Sequence, residues 1–592
     1  MCGIIGITGK NISTYNKEIL DAMLSTLSKR GPDDRGILSF PNCILGQTRL
    51  SIIDLSSGGH QPMKDNQKNI TIVFNGEIYN YKELKKELEE RGYSFSTKSD
   101  TEVILKAYQE YGYDCPKYLD GMFAFIIWNN EKKQLFMARD RFGKKPLYYT
   151  FDDKKNLLIA SEIKALFKSK QIKGKINYEV IDNYLTLMYI PPWKTVYKNI
   201  NVIPPASFAV FENNDLQIKK YWQLEKKGIQ TTYERAKEDV RRLLTMSIKK
   251  RMIADVEIGS FLSGGVDSTL VTALAQSFSK TPIKTFSVGY QDYIDELPFA
   301  VEAAKKIKTD HHTLQAKDDM VQELKTTIEY FDEPHADSSN FPQYLLSKLA
   351  ATKVKVALSG DGADELFLGY GWYTRHKNLS YRAHFKEKVF MNAFDGYIKA
   401  VQIFTTKERK NLWKDISHIN KNFISNEVKN SKLSSVEKIN LFDLTTYLPG
   451  QLLTKADRMG MMNSLEVRSP FLDHHLVEFV YNLPDDYKTD DTVFKRILKD
   501  ILQETMPHKF VHRRKQGFGA PVKKWLREES FENEIQTKLH NKTADIYSFL
   551  NEGFVKTLLD DFYLRGNDRY NYKIWVLYCL ELWFNSHKQY FT

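Results

Sequence analysis

Cys2 is the first residue of this chain whose position suggests chemistry. It follows the initiator Met1 and precedes the small residue Gly3, so removal of Met1 would leave a cysteine that carries both a thiol and a free α-amine. The α-amine has an ordinary pKa of about 7.7–8.0 and the thiol has one of about 8.5, so the amine can accept the thiol proton near neutral pH. We therefore predict that Cys2 is a nucleophile with its own base.

Other residues of the first hundred could complete a site for attack on the side-chain amide of glutamine. Asn75 and Gly76 stand at the end of the predicted strand 70–75 and can offer an amide and a backbone N–H to a tetrahedral oxyanion. Arg49 can bind the α-carboxylate of glutamine and Asp100 its α-ammonium. Each also fits a structural role, Arg49 in a surface ion pair and Asp100 as a helix cap.

A second kind of site is predicted at residues 263–268, which read Ser-Gly-Gly-Val-Asp-Ser. They join an apolar strand at 256–262 to a helix, and a glycine loop that opens a helix is an anion site. No lysine follows the glycines as in a Walker A loop, and the third glycine of the dinucleotide pattern is missing. An ordinary turn is the alternative, and we predict a phosphate loop.

A second acidic glycine loop follows the predicted strand 354–358, at residues 359–365. Loops at the carboxyl ends of parallel strands bind ligands together, and a carboxylate beside a triphosphate needs a cation. We predict Asp267 and Asp364 as Mg²⁺ ligands. The residues predicted to line this ligand site are Leu262, Ser263, Gly264, Gly265, Asp267, Ser268, Ser287, Val288, Ser359 and Gly360.

Hydrophobic periodicity predicts two domains that would position these residues, 1–210 and 211–592. In the first, short strands come in pairs with helices between them, which predicts a layered α+β domain; the strands are expected at 4–8, 44–50, 70–75, 122–128, 134–138 and 157–160. In the second, long helices alternate with single apolar strands, which predicts a parallel sheet covered by helices. From about residue 370 the pattern is mostly helical.

Length and composition exclude several classes of protein. A chain of 592 residues exceeds the roughly 250–300 residues of a single core. Its longest apolar stretches are shorter than the roughly 20 residues that span a bilayer, and it begins with no signal pattern, so we expect a cytoplasmic protein without a membrane partner. The four cysteines are far apart in sequence, which disfavours disulfides and zinc. The net charge of +12 comes from interleaved charges, which indicate a solvated surface rather than a nucleic-acid site.

Five motifs in the first domain resemble the class II glutamine amidotransferases of the N-terminal nucleophile superfamily. They occur in the family's order and spacing at residues 1–6, 30–33, 49–52, 75–80 and 99–102. The resemblance implies a layered αββα fold that releases glutamate and ammonia. It also implies Cys2 as nucleophile, Asn75 and Gly76 as oxyanion hole, and glutamine-binding roles for Arg49, Asn75, Gly76, Glu77 and Asp100.

The loop at 263–268 resembles the pyrophosphate loop of the ATP pyrophosphatases. Together with the first domain and further motifs, the whole chain resembles glutamine-hydrolysing asparagine synthetase; these motifs are residues 332–334, 359–365, 455–458, 465–473 and 514–518. The resemblance implies ATP and Mg²⁺, an acyl-adenylate formed with loss of pyrophosphate, and displacement of AMP by ammonia. It implies that Lys495 stabilises the negative charge that develops on the α-phosphate. The alternative is that Lys495 is only part of a basic helix face. Asp295, Glu296 and Arg468 are further ATP-site or acceptor-site candidates.

The acceptor carboxylate is the least determined part of this reading. L-Aspartate is favoured, and sugar acids or peptide-like metabolites are alternatives, with contacts expected at residues 332–339. An RNA-modifying adenylating enzyme would need cysteines near the second site, and residues 211–578 contain none. A non-catalytic regulatory relative would have lost the nucleophile, whereas Cys2 is present in this chain. We expect small-molecule partners and an enclosed channel for ammonia between the domains, and a homodimer is compatible with the sequence.

Overall fold

A computed structural model describes residues 2–65, 69–290, 296–316, 321–375, 392–420, 422–490, 492–513 and 519–591. Its first domain contains two antiparallel sheets of six strands each. In chain order the strands are β1 (Cys2–Thr8), β2 (Asp34–Ser39), β3 (Cys43–Arg49), β4 (Met63–Asp65), β5 (Ile70–Ile78), β6 (Gly121–Asn129), β7 (Gln134–Arg139), β8 (Tyr148–Phe151), β9 (Leu157–Ala160), β10 (Asn201–Val202), β11 (Ser207–Glu212) and β12 (Asp215–Lys220).

The two sheets of the first domain face one another across an apolar core. One has the strand order β10-β8-β9-β1-β3-β2 and the other β12-β11-β7-β6-β5-β4. Ile4 and Leu45 of the first sheet share a buried cluster with Val73 and Ile126 of the second. Helices cover the outer faces; they are α1 (Lys17–Ser25), α2 (Tyr81–Glu90), α3 (Asp100–Tyr111), α4 (Cys115–Tyr118), α5 (Ile163–Phe167) and α6 (Tyr178–Leu187). The predicted layered fold is confirmed.

Two features of the first domain differ from the sequence reading. β5 continues to Ile78 because it pairs with β6 along its whole length, so Asn75 and Gly76 lie within the strand rather than at its end. The expected division after residue 210 falls inside β11, and β11 and β12 complete the second sheet as a hairpin. We therefore propose that the first domain extends through Lys220.

The second domain is built on a parallel sheet of five strands with the order β15-β14-β13-β16-β17. The strands are β13 (Ile258–Phe261), β14 (Lys284–Tyr290), β15 (Asp310–Ala316), β16 (Val356–Leu358) and β17 (Glu466–Arg468). The helices between them are α7 (Tyr233–Arg251), α8 (Val266–Phe278), α9 (Leu297–Ile307), α10 (Val321–Tyr330), α11 (Asn340–Ala351) and α12 (Ala363–Leu366). The parallel sheet predicted from the alternating pattern is confirmed.

The C-terminal part is mostly helical, as predicted. Its described α-helices are Ala393–Ala400, Thr406–Leu412, Asn426–Lys429, Ser435–Phe442, Thr454–Met461, His474–Asn482, Asp485–Lys488, Arg496–Leu502, His508–Val511, Val522–Trp525, Glu529–Leu539, Glu552–Tyr563 and Asn571–His587. Residues Asp443–Leu453 form a π-helix that contains Pro449, a helix type that is rare and often lies at functional sites. Among the described helices, none is long and apolar enough to cross a membrane.

Candidate active sites

Cys2 lies at the start of β1, buried and opposite Arg49 of β3. Its backbone N–H donates a hydrogen bond to Asn75 Oδ1 at 3.0 Å. The other end of the Asn75 amide, Nδ2, is buried and has no hydrogen-bond partner among the described residues. Buried donors are nearly always paired, so this N–H is a donor available to an oxyanion formed beside Cys2. Burial raises the pKa of the Cys2 thiol, although Arg49 opposes that shift.

Gly76 must be a glycine because the backbone of the neighbouring strand β6 lies too close for a side chain. A Cβ at this position would lie 2.1 Å from the carbonyl oxygen of Met122, closer than any real contact. The residue is next to Asn75 in the same strand, so close packing of β5 against β6 fixes the amide of Asn75 near Cys2.

Arg49 ends β3 of the first sheet, and Asp100 contacts the end of β5 in the second. Arg49 Nη2 donates hydrogen bonds to the carbonyl oxygens of Ile53 at 3.0 Å and Asp54 at 2.6 Å, which hold the guanidinium in place. Asp100 begins α3, capped by Ser99 rather than acting as the cap itself, and it accepts a hydrogen bond from the Ile78 N–H at 3.0 Å. Burial raises the pKa of Asp100 to about 6.

Unlike the other predicted glutamine-binding residues, Glu77 forms an ion pair with the second domain. Its Oε2 lies 3.1 Å from Arg468 Nη2 of the second domain. Burial raises its pKa well above the ordinary value, although Arg468 opposes that shift. Arg468 also donates to the carbonyl oxygens of Arg251 and Ile253 in the second domain, so its guanidinium connects that domain to Glu77, and its ATP-site or acceptor-site role stays a prediction.

The glycine loop of the second domain lies between β13 and α8, as predicted. Ser263 Oγ and Ser268 Oγ are 3.0 Å apart, and Ser263 Oγ accepts the Gly265 N–H at 3.3 Å. Gly264 has a φ of +73°, and a Cβ there would lie 2.6 Å from the backbone of Phe299. The loop therefore needs a glycine at this position, and it leads into a helix N-terminus that favours an anion.

Lys495 joins the two predicted Mg²⁺ ligands. Its Nζ contacts a carboxylate oxygen of Asp267 and lies 2.7 Å from Asp364 Oδ1. Burial works to lower the pKa of Lys495, but the two carboxylates raise it above its ordinary value. Two carboxylates that converge on one cation are hard oxygen ligands of the kind that Mg²⁺ prefers, so this pair fits the metal.

The remaining predicted ATP-site residues lie around the same sheet edge. Ser359 Oγ donates to Asp361 Oδ2 at 2.8 Å, and a Cβ at Gly360 would lie 3.0 Å from Asp267 Cβ. Ser287 Oγ donates to the Leu262 carbonyl oxygen. Val288 follows in β14, where its side chain is half-buried, and Glu296 directly precedes α9. Asp295 and residues 514–518 lie outside the described residues.

Two charged residues near this edge were not singled out by the sequence reading. Asp361 lies inside the acidic loop, where its position after β16 could have identified it. Arg513 donates to the Gly264 carbonyl oxygen at 3.0 Å, and its guanidinium lies 4.0 Å from the ring centre of Phe299. Arg513 is distant in sequence from the loop, so no local pattern could have connected the two.

A buried ionic network joins the two domains next to Cys2. Arg30 binds both oxygens of Asp457 at 2.8 and 3.0 Å and donates through Nε to the Cys2 carbonyl oxygen at 3.1 Å. It also lies 2.9 Å from Glu162, which in turn lies 2.6 Å from Arg458. All of these side chains are almost completely buried, so the network fixes the second domain against the glutaminase candidate site.

A cavity of about 40 Å³ lies between the domains on the far side of this network. Its walls include Arg139 and Tyr148 of the first domain and Asp332, Glu333 and Arg458 of the second. Glu333 accepts hydrogen bonds from the Tyr148 hydroxyl at 3.2 Å and from the Val196 N–H at 2.8 Å, and burial raises its pKa to about 7. The volume exceeds the minimum of roughly 10–15 Å³ that a water-sized molecule needs.

Known proteins share both halves of this arrangement. The profile of a family described as glutamine amidotransferase domain matches residues 1–222, and that of a family described as asparagine synthase matches residues 239–585. Glutamine-hydrolyzing asparagine synthetase 1 of Bacillus subtilis (strain 168) is 33% identical, over 100% of this chain and 98% of that protein. Glutamine-hydrolyzing asparagine synthetase 3 of the same organism is 32% identical, over 92% and 93%. Amidase chry2 of Gibberella zeae is 27% identical, over 86% of each.

The fold, the two sites and these matches define the class of protein. It is a ligase of the amidotransferase type, in which an N-terminal nucleophile domain precedes a synthetase domain. Identities above 30% across nearly the whole of both chains are more specific. The protein belongs to the glutamine-hydrolysing asparagine synthetase family.

Proposed function

We propose that the protein transfers the amide nitrogen of glutamine to the side-chain carboxylate of L-aspartate. The overall reaction converts aspartate, glutamine, ATP and water into asparagine, glutamate, AMP and pyrophosphate. The observation that carries this proposal is that a buried ionic network joins the Cys2 site to the synthetase domain, and that a cavity lined by both domains lies beside Arg458 of this network. A glutaminase and a carboxylate-activating site would have such a connection if ammonia passes from one to the other.

In the first half-reaction, the Cys2 thiolate attacks the amide carbon of glutamine. Asn75 Nδ2 donates to the resulting oxyanion, and ammonia leaves as the thioester forms. Water then hydrolyses the thioester to glutamate and regenerates the thiol. Arg49 and Asp100 bind the α-carboxylate and α-ammonium of glutamine, and burial keeps both interactions strong.

In the second half-reaction, a carboxylate oxygen of aspartate attacks the α-phosphorus of ATP and pyrophosphate leaves. The loop at 263–268 holds the phosphates, and Lys495 stabilises the developing negative charge. Asp267 and Asp364 would hold Mg²⁺, which when bound neutralises phosphate charge. Ammonia then attacks the acyl carbon of the adenylate, and AMP leaves with the former carboxylate oxygen.

The synthetase half of the proposal is tested by the acceptor and metal requirements of pyrophosphate release. The purified protein is incubated with ammonium, ATP and Mg²⁺, with and without L-aspartate, and pyrophosphate and asparagine are measured together. We expect both to form in equal amounts, only with aspartate, and to stop when EDTA is added. Release of pyrophosphate with another carboxylate and none with aspartate would contradict the proposed acceptor.

A further inference from the structure

The segment that precedes α11 places charged side chains in the interior near the synthetase site. Asp337, Ser339 and Lys455 are 7%, 6% and 5% exposed. Lysine and aspartate are seldom this buried, and a buried ion pair usually contributes little net stability because both ions lose their hydration. Their burial therefore calls for a role other than stability.

These three residues form a chain of contacts that leaves both charges open to a ligand. Ser339 donates from its N–H at 2.8 Å and from its hydroxyl at 2.7 Å to the same oxygen, Asp337 Oδ1. Lys455 Nζ donates to Ser339 Oγ at 2.8 Å, and it lies 3.8 Å from Asp337 Oδ2, beyond hydrogen-bond range. An ammonium has three donors, so Lys455 can still donate to a carboxylate, and Asp337 Oδ2 can still accept from an ammonium.

Asp337 is ionised at neutral pH. Burial works to raise the pKa of Asp337, but Lys455, His335 and hydrogen bonds from Ser339 bring it below its ordinary value. Burial lowers the pKa of His335 to about 4, so this imidazole is neutral and stacked on Phe331, with ring centres 4.7 Å apart. The site thus presents one negative and one positive charge beside a neutral ring.

The pair lies between the interdomain cavity and the Lys495 cluster. On one side, its neighbours His335 and Thr454 line the cavity. On the other side is Tyr447 of the π-helix. Burial is the main cause of the raised pKa of Tyr447, and the negative charges of Asp337 and then of Glu365 are the next largest causes.

Tyr447 continues this path to the acidic loop. Its ring centre is 6.1 Å from that of Tyr370, and the Tyr370 hydroxyl donates to Glu365 Oε1 at 2.6 Å. Glu365 directly follows Asp364, which contacts Lys495. Tyr447, Tyr370 and Glu365 therefore form a series of neighbours between the Asp337–Lys455 pair and the groups that bind the reacting phosphate in the proposed function.

We infer that Asp337 and Lys455 bind the α-ammonium and the α-carboxylate of an amino-acid acceptor. This inference rests on the proposed function and specifies which groups select its substrate. When an L-α-amino dicarboxylate binds, Asp337 would pair with its ammonium and Lys455 with its α-carboxylate. No unpaired charge would then be buried. The second carboxylate of the acceptor would lie on the Tyr447 side of the pair and point toward the Lys495 cluster.

Acceptor analogues that lack one charged group distinguish recognition from a structural role. Succinate lacks the α-ammonium of aspartate, and β-alanine lacks its α-carboxylate, while each keeps the carboxylate that would be activated. The measurement is kcat/KM for acceptor-dependent pyrophosphate release with the three compounds. The variants are Asp337→Asn and Lys455→Gln in the full-length enzyme.

Each variant is expected to lose the preference that its charge provides. Removal of one member of a buried, hydrogen-bonded charge pair costs roughly 30-fold or more. For Asp337→Asn we expect a loss of about that size with aspartate and a change below about threefold with succinate. For Lys455→Gln we expect the same contrast between aspartate and β-alanine. The KM for ATP and the glutaminase rate should remain those of the wild type.

Lys106→Gln is the matched control, because Lys106 is also a buried lysine, 2.5 Å from Asp65, but lies in the first domain. It should leave all acceptor preferences unchanged. Isothermal titration with L-aspartate in the presence of a non-hydrolysable ATP analogue provides a second measurement, and binding should weaken in both site variants. Equal losses with all three acceptors would overturn the inference while the proposed function stands. A wild type that hydrolyses glutamine but activates no amino dicarboxylate would overturn both.

Discussion

The side chain of Asn75 accepts the backbone N–H of Cys2 through Oδ1 at 3.0 Å and keeps its buried Nδ2 unpaired among the described residues. One hydrogen bond therefore orients the amide, and the other end remains available for charge that appears only during reaction. Such a donor stabilises the transition state more than the bound substrate. The relationship explains why this buried polar group stays unsatisfied beside Cys2.

Asn75→Ala tests this arrangement. We expect the glutaminase kcat to fall by about 10²–10³ with little change in KM, because the lost interaction forms only in the transition state. The control is Asn183→Ala, since Asn183 also has a buried Nδ2 with no partner in the described part of the chain but lies in α6. A full glutaminase rate in Asn75→Ala would show that the orphan donor is not an oxyanion donor.

The pH dependence of glutamine binding follows from Asp100. Burial raises the pKa of Asp100 to about 6, so its carboxylate is ionised above that pH and becomes protonated below it. Only the ionised form attracts the substrate ammonium, and we expect the KM for glutamine to rise as the pH falls from 7 to 5. In Asp100→Asn the KM should be higher at pH 7 and should show no such rise. A flat KM profile in the wild type would contradict this role.

The variant Lys495→Met distinguishes a catalytic role for Lys495 from a role as part of a basic helix face. Lys495 contacts both Asp267 and Asp364, and removal of one preorganised cation from a charge-stabilising site costs on the order of 10² in rate or more. We expect acceptor-dependent pyrophosphate release to fall by at least this factor while glutaminase activity persists. Lys499→Met, one turn further along the same helix, should be nearly silent. Equal losses in both variants would favour the basic helix face.

The part of the site that the sequence made predictable is local in the chain. The glycine loop at 263–268 has its residue types, spacing and flanking elements in one continuous segment, so its place between β13 and α8 followed from the pattern. The pairing of Cys2 with Asn75 was predictable only through the family resemblance, because 73 residues separate the two.

Contacts between distant segments were not predictable. Arg30 and Asp457 are 427 residues apart, and neither has a local pattern that names the other. The same holds for Arg468, whose motif suggested the ATP site but whose guanidinium contacts Glu77 across the domain interface. The end of β5 and the whole of β11 were also missed, since pairing with neighbouring strands rather than hydrophobic alternation decides where these strands lie.

Arg30→Met tests the interdomain network. Loss of the fully buried guanidinium would leave Asp457 and Glu162 without their partner, and we expect the free energy of unfolding to fall by about 3–5 kcal/mol. The matched control is Arg35→Met, because Arg35 pairs with Asp21 at the surface and such pairs contribute about 0–1 kcal/mol. We also expect Arg30→Met to release more than one glutamate per pyrophosphate. A wild-type ratio of one and unchanged stability would contradict a coupling role for Arg30.

The central claim is that nitrogen passes from Cys2 to an activated aspartate inside the protein. The most direct measurement gives the wild-type enzyme glutamine labelled with ¹⁵N in its amide, ATP, Mg²⁺ and L-aspartate, with an excess of unlabelled ammonium in solution. We predict asparagine whose side-chain amide carries mainly ¹⁵N, and in Cys2→Ala only unlabelled asparagine. Asparagine that carries the isotope ratio of the bulk ammonium in the wild type, or no asparagine at all, would contradict the account.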